Sequence, residues 1–382
     1  MTTTDAGQTL AFSHTGKLGK MLGLAAKNAF LSIITLTLYR FWARTSIRRR
    51  VWSRTWALGD SFEYTGSGWD LFRGFLISLP CFFLPAIFVF YIAPYVMEPG
   101  LAVWLTLGFY ALAVPVIAAA RFWMRRYQLS RTRWRGIRFG LVGSGWSFAA
   151  ASWGWSMLQG LTLGWYTPVA RMKRARLLWE NARFGDQPFG FDHDPEGDAH
   201  GLWWPYALSW FAPFIAFVGS YVIMIMLALI AGAAWLMQFG QQLQNGAAGG
   251  EPSPAMVAAM IAFFVLWVLV GLTIWLLLQA PYKAAAMNKI ASMITLDGAR
   301  FKLRAATWSL FAVDLAGWLI IIFSLGLLAP LAGLLQVRYV FNRLELIGVP
   351  KFAEIGQSVI SEQEAGESFA DAFDLDLGVG VI

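Results

Sequence analysis

ITLTLYRFWARTSIRRRVWSRTWALGDSFEYTG (residues 34–66) joins an apolar helix end to a basic, aromatic-rich helix, a glycine and an aromatic end. Related segments recur along the chain, and in four of them a basic residue stands 18 positions before a Phe. The four pairs are Arg44 and Phe62, Arg121 and Phe139, Arg171 and Phe189, and Lys283 and Phe301. A fifth, degenerate copy carries Gly348 before Phe352, with Leu334 at the basic position. Repetition of this kind governs the interpretation of the whole fold.

The composition is that of a membrane protein. The chain has 382 residues, of which 58% are hydrophobic and 14% are charged, whereas a soluble globular domain carries roughly 25% charged residues. Twenty Trp and thirty Phe add an aromatic excess, which is typical of bilayer interfaces. Several apolar runs reach the ~20 residues that a membrane-spanning helix needs. We therefore expect an integral, polytopic membrane protein.

The formal net charge of +8 is concentrated beside the apolar runs. This placement indicates anionic lipid headgroups as partners, and the absence of a basic groove motif argues against nucleic acid. The single cysteine, Cys81, lies in an apolar run, so the sequence predicts no intramolecular disulfide. The N-terminal residues lack the charged-then-apolar order of a cleaved signal peptide.

The apolar segments alternate between two kinds, A and B. Each B unit is a hairpin of two arms long enough to cross a bilayer. Each A unit is a helix, a sharp bend and a second helix, with Gly164 and Gly326 predicted to end helices and Pro168 and Pro330 to begin them. The resulting repeated membrane domain covers 1–352, followed by an acidic tail over 353–382 that we expect to be disordered. The predicted units are A 16–68, B 69–143, A 144–201, B 202–305 and A 306–352.

The charge pattern leaves two topologies open. Residues 121–143 hold seven Arg and no acidic residue, and residues 166–202 hold five Lys or Arg. If every A unit crossed the membrane, seven helices would span it and these two basic segments would lie on opposite sides. If the A units are re-entrant or interfacial, only four helices cross and every basic segment faces the cytoplasm, as the positive-inside rule favours. We favour the second arrangement within an all-α fold of 4 to 7 membrane-embedded helices.

The stretch 34–66 resembles the signature of the YjgN family of bacterial inner-membrane proteins. The resemblance rests on a Thr-Leu bend, a run of Arg and aromatic residues, a Gly and a Phe-Glu-Tyr end. The matching positions are Thr35, Leu36, Tyr39, Trp42, Ala43, Arg48, Arg49, Arg50, Gly59, Phe62, Glu63, Tyr64 and Gly66. A second copy matches at Thr162, Leu163, Gly164, Pro168, Ala170, Arg171, Arg174, Asn181, Gly185 and Phe189. Thr37 and Phe41 depart from the pattern, which would have Gly and Pro there. The resemblance covers about residues 10–352 and implies a bacterial inner-membrane location without an established activity.

Five residues are the candidates for a binding site for a ligand or lipid headgroup. Arg44, Arg121, Arg171 and Lys283 recur at one position of the repeat, where Arg and Lys can bind a phosphate or carboxylate. The alternative is that these residues only anchor the topology at the membrane interface. Asp314 lies in an apolar helix, which favours either a structural pair with a neighbouring Arg or Lys or a role in proton or ion coupling.

The loop FDHDPEGDAHG (residues 191–201) holds acidic residues and two His, but it lacks a recognised metal-ligand spacing, so we predict no metal site there. The sequence contains no nucleophile elbow and no phosphate-binding P-loop. We therefore expect no enzyme and no cofactor. The leading hypothesis is transport or handling of an anionic or amphipathic small molecule or lipid. The alternative is a non-transporting membrane scaffold that binds anionic lipids or a partner protein.

Overall fold

A computed structural model describes residues 9–230, 254–352 and 354–356, together with 237, 240, 241 and 244. The chain divides into two compact units. The first consists of the described parts of 1–200, 286–305 and 316–382, and the second of Gly201–Ala285 and Ala306–Leu315. Nearly all of the predicted acidic tail, 353–382, lies outside the described residues.

The first unit contains a closed, antiparallel β-barrel of ten short strands among its described residues. The expectation of an all-α fold is therefore wrong. Each strand pairs with its neighbours in sequence order, and β1 closes the barrel by pairing with both β2 and β10. The strands are β1 (Thr9–His14), β2 (Thr55–Ala57), β3 (Asp60–Tyr64), β4 (Thr132–Trp134), β5 (Ile137–Leu141), β6 (Ala182–Phe184), β7 (Gln187–Phe191), β8 (Ile294–Leu296), β9 (Ala299–Leu303) and β10 (Leu344–Ile347).

Four of the repeat copies are β-hairpins that follow directly on a helix. The glycine that marks each copy forms the hairpin turn: Asp297 and Gly298, for example, both have positive φ between β8 and β9. Asp-Gly is a favoured sequence for such a two-residue turn, because both residues must adopt left-handed backbone conformations. The repeated Phe is the third residue of the second strand, where alternation along the strand directs it inward.

Ten helices connect or flank these strands in the described residues. Their bounds are α1 (Leu18–Ile34), α2 (Arg40–Trp52), α3 (Gly68–Val96, with π-helical turns at Leu79–Phe83 and Phe88–Ile92), α4 (Pro99–Ser130), α5 (Gly145–Leu161), α6 (Thr167–Glu180), α7 (Trp203–Ile230), α8 (Pro254–Met293), α9 (Thr307–Phe323) and α10 (Ala329–Phe341).

The A units form the helix–bend–helix pairs that the sequence predicts. The predicted helix ends are confirmed, because Gly164 and Gly326 have φ of +92° and +82° after α5 and α9. Pro168 and Pro330 lie in the first turns of α6 and α10. The residue preceding each bend glycine is an exposed leucine: Leu163 is 77% and Leu325 91% exposed.

Four helices within the described residues are long and apolar enough to cross a membrane. They are Gly68–Val96, Pro99–Ser130, Trp203–Leu227 and Val257–Met293. Helices α1, α5 and α9 have 17 residues each, and at 1.5 Å per residue this gives about 26 Å, less than the ~30 Å of a hydrocarbon core. The chain is therefore a helical membrane protein that also carries a small barrel.

The barrel brings together basic segments that are distant in sequence. Strand β5 pairs with β6 through Phe139 and Phe184, so the segments 121–143 and 166–202 meet in one sheet. A membrane cannot pass between two directly paired strands. The two strands, and the basic residues that they carry, therefore lie on the same side of any bilayer.

The fifth repeat copy is split between the two ends of the chain. Its first strand is β10, which follows α10, and its second strand is β1 from the N-terminal end. Phe12 of β1 pairs with Ala57, the last residue of β2, in the same way as Phe62 of β3 pairs with Trp134, the last residue of β4. Phe12, and not Phe352, therefore holds the repeated aromatic position. Gly348 follows β10 with φ of +95°, at the place of the turn glycines.

Candidate functional site: the barrel cavity

The interior of the barrel holds a cavity of about 460 Å³. Aromatic rings from the equivalent positions of all five copies line it and contact one another. Phe62 and Phe139 lie 6.1 Å apart between ring centroids, and Phe301 lies 6.3 Å from both Phe12 and Phe189. Cavities of roughly 300–1,000 Å³ with mostly apolar walls are the usual size and lining of small-molecule sites.

Helix residues complete the wall and add positive charge to it. Arg48 on α2, Arg125 on α4 and Arg171 on α6 all line the cavity. On α6, Arg171 shares a face with Ala175 and Leu178, which also line it, because residues four and seven positions apart lie on one side of a helix. The cavity therefore combines an aromatic, apolar interior with guanidinium groups that can bind a carboxylate or phosphate.

The three predicted arginines of the first unit differ in whether they line this cavity. Arg171 lines the cavity, whereas Arg44 and Arg121 are not among its lining residues. The positions one helical turn later, Arg48 and Arg125, line it instead. The repeat position chosen from the sequence was thus one turn from the cavity-lining position in these two copies.

Lys283 and Asp314 form an ion pair within the second unit. Lys283 Nζ donates a hydrogen bond to Asp314 Oδ2 over 2.8 Å, and Asp314 is only 5% exposed. A carboxylate buried in an apolar helix is costly unless it is paired. The contact agrees with the structural-pair alternative for Asp314, and the coupling alternative stays a hypothesis.

The acidic loop after β7 is held by ion pairs to neighbouring basic residues. Arg300 donates to Asp192 over 2.7 Å, and Lys289 donates to Asp194. The hydrogen bond from Lys289 is the main cause that lowers the pKa of Asp194 below its usual value. Within the described ranges, no group of three His, Cys, Asp or Glu side chains is arranged to hold a metal ion.

Phe12 is a cavity residue that the spacing between a basic residue and a Phe does not reveal. Its signal is present in the sequence, because Phe12, Thr15 and Gly16 have the same spacing as Phe62, Thr65 and Gly66. The equivalence extends to the backbone: the N–H of Thr15 donates to the carbonyl of Arg54 and that of Thr65 to Arg131. The spacing is absent from this copy because no basic helix precedes β1 in the described part of the chain.

Together, the long apolar helices and the barrel define a membrane protein with an internal, arginine-bearing cavity of small-molecule size. The family model described as "Bacterial protein of unknown function (DUF898)" matches residues 9–372. The chain therefore belongs to this family, and the resemblance to the YjgN family is confirmed. No curated protein and no solved structure matches the chain.

Proposed function

We propose that this protein binds and handles an amphipathic anion, with the apolar body of the ligand in the barrel and its acidic group on the cavity arginines. The observation that carries the proposal is the composition of the cavity wall, in which a ring of Phe side chains adjoins Arg48, Arg125 and Arg171. An apolar body gains free energy by leaving water, at roughly 25 cal/mol per Å². A guanidinium group adds a directional, charge-assisted contact with a carboxylate or phosphate.

The apolar lining favours binding of a ligand over conduction of ions. A permeating ion needs oxygen ligands or charged rings that replace its hydration shell along the path. The barrel interior instead offers aromatic faces, which suit an acyl chain or a ring system. Transfer of an amphipathic molecule to or from the membrane is therefore the form of handling that fits the cavity best.

The location that fits this function is the bacterial inner membrane, with the barrel on the cytoplasmic side. The basic segments around the barrel satisfy the positive-inside rule in that orientation. The exposed leucines at the bends after α1, α5 and α9 then enter the bilayer without crossing it, and Leu36 is 85% exposed.

Single-cysteine labelling tests this orientation. Cys81 is replaced by Ser, and one cysteine is placed at the exposed position Arg135 or Pro188, on two different hairpins. We expect both to react only when a membrane-impermeant reagent reaches the cytoplasmic side. Reaction from opposite sides would disprove the shared location, and reaction of both from outside would reverse the orientation.

Mass spectrometry of the protein extracted with its native lipid shell tests the ligand. Arg171→Gln removes a cavity cation, and Ala175→Phe fills the same wall without changing charge. Arg44→Gln is the matched control, because it removes the same charge at the equivalent repeat position without altering the cavity lining.

We expect an amphipathic anion to be enriched in the native protein and the control, and depleted at least tenfold in both cavity variants. Equal lipid content in all four proteins would contradict the proposal. In that case the basic segments are topology anchors and the membrane-scaffold alternative becomes the better explanation.

A further inference from the structure

A second, smaller pocket lies at the N-terminal end of α1, apart from the residues that line the barrel cavity. Its volume is about 60 Å³, roughly four times the ~15 Å³ that one water molecule requires. Four basic side chains line it: Lys17 and Lys20 at the N-terminal end of α1, Arg50 in the last turn of α2, and Arg54 two residues after that helix. No carboxylate is among its described lining residues.

His14, which also lines the pocket, carries a buried polar atom that has no hydrogen-bond partner among the described residues. The residue is only 4% exposed, and the atom is its Nε2. Nε2 packs against Gly16, another lining residue, so closely that a Cβ at Gly16 would overlap with it. Leaving such an atom unsatisfied costs about 1–3 kcal/mol, so its presence calls for a ligand or another explanation.

The neighbouring hydrogen bonds define the proton state of His14. Thr55 Oγ1 donates its proton to the carbonyl of Val51 over 3.1 Å. The 3.0 Å contact between His14 Nδ1 and Thr55 Oγ1 is then donated by Nδ1–H. Neutral His14 therefore presents a lone pair at Nε2, which accepts a proton or a hydrogen bond from a molecule in the pocket.

The N-terminal end of α1 gives the pocket a further preference for negative charge. Lys17 is the N-cap residue, and no side-chain hydrogen bond caps this helix in the described structure. The free N–H groups of a first helical turn and the positive end of the helix dipole favour an anion. The positive charge of Arg338 on α10 also acts on His14.

We propose that this pocket is a phosphate-binding site, separate from the ligand site proposed in the barrel. A phosphate oxygen lies among Lys17, Lys20, Arg50 and Arg54, and a second oxygen shares one proton with His14 Nε2. Inorganic phosphate and phosphomonoesters bring this proton with them. A phospholipid diester has none at neutral pH, and His14 then takes one from solvent.

Nitrogen NMR of the full-length protein, labelled with ¹⁵N-histidine in detergent, tests the site. The chain has three His, so His193→Asn and His200→Asn assign the His14 signals. Addition of inorganic phosphate at constant ionic strength is expected to shift the His14 Nε2 signal to saturation. No shift, or a shift that rises without saturation, would overturn the proposal.

A pair of double variants separates the pocket from general electrostatic attraction. Lys17→Gln/Lys20→Gln is expected to raise the dissociation constant for phosphate at least tenfold. Lys27→Gln/Lys173→Gln removes the same charge from exposed positions that do not line the pocket, and it is expected to change the constant less than twofold. Equal weakening by both pairs would refute a specific site.

Two further arms identify the source of the phosphate group. In nanodiscs kept in a buffer without inorganic phosphate, a His14 shift with phosphatidylglycerol but not with phosphatidylcholine supports an anionic lipid headgroup. A shift with inorganic phosphate alone supports a soluble ligand. Arg171→Gln is expected to leave both titrations unchanged, so failure of the barrel proposal and failure of this one are distinguishable.

Discussion

Separating the Lys283–Asp314 ion pair should destabilise the protein by an amount that depends on which partner is removed. Asp314 is 5% exposed, whereas the side chain of Lys283 is 35% exposed. Lys283→Met removes the counter-charge of a buried carboxylate and is expected to cost about 3 kcal/mol, at the lower end of the range for broken buried pairs. Asp314→Asn leaves the more accessible ammonium and is expected to cost about 2 kcal/mol.

The double variant measures the interaction itself. Replacement of both residues, as Lys283→Met/Asp314→Asn, removes both charges and is expected to cost only about 2 kcal/mol. Compared with the sum of about 5 kcal/mol for the two single variants, this gives a coupling energy of about 3 kcal/mol. The assay is thermal unfolding in detergent, followed by Trp fluorescence. A Tm shift of roughly 2–4 °C per kcal/mol puts Lys283→Met about 6–12 °C below the parent.

An exposed pair provides the control for this cycle. Lys351 and Glu354 lie 3.5 Å apart, and both side chains are 70% exposed, so their coupling should stay below about 1 kcal/mol. Additive effects at Lys283 and Asp314 would refute the reasoning, because a buried contact of 2.8 Å must couple its partners. If Asp314→Asn left stability unchanged but abolished a pH-dependent flux, the proton-coupling alternative would replace the structural one.

Three further outcomes follow from the geometry of the first unit. Burial, assisted by the charge of Arg338, lowers the pKa of His14 from 6.5 to about 4. Because the unfolded chain binds more protons in this range, the free energy of unfolding should fall by up to about 3 kcal/mol as pH drops from 6.5 to 4. Melting curves should record this loss for the parent protein but not for His14→Gln. Gly298→Ala places a side chain at φ of +79° and should cost about 1–2 kcal/mol, whereas Gly154→Ala, inside α5 with open space around it, should raise the melting temperature. Arg135→Gln breaks an ion pair with Asp60 in which both side chains are about half exposed, and a loss above about 1 kcal/mol in the same assay would contradict the expected weakness of such pairs.

The membrane class, the four long apolar helices and the bends could be predicted from the sequence. The first two rest on long apolar runs, and the bends rest on Gly and Pro residues at helix ends. The barrel could not be recognised in the same way. The strands that begin the hairpins, such as β2, β4 and β6, have only three residues each, too few to display an alternating pattern. Each of them also follows a basic helix with at most two residues in between. Asp297-Gly298 is a favoured hairpin-turn sequence. The repeat pattern alone, in which this glycine is one member, does not assign a turn to it.

The candidate site was predicted only in part, for a related reason. The sequence singled out a repeated basic position, and Arg171 does line the cavity. Which side of a helix faces a cavity depends on the barrel that the helix enters, and that barrel was not foreseen. As a result Arg48 and Arg125, one turn further along, were not chosen as site residues.

The pairing of the strands also supplies the constraint that charge alone lacked. From the sequence, four crossings and seven crossings were both compatible with the apolar lengths, because α5 and its neighbours lie close to the spanning limit. Direct hydrogen bonding between β5 and β6 requires the chain to return, between residues 141 and 182, to the side from which it left. An even number of crossings is therefore required between β5 and β6. Two helices of 17 and 14 residues joined by a sharp bend fit a re-entrant pair better than two full spans. Because α1–α2 and α9–α10 also connect directly paired strands, the same constraint applies to all three A units.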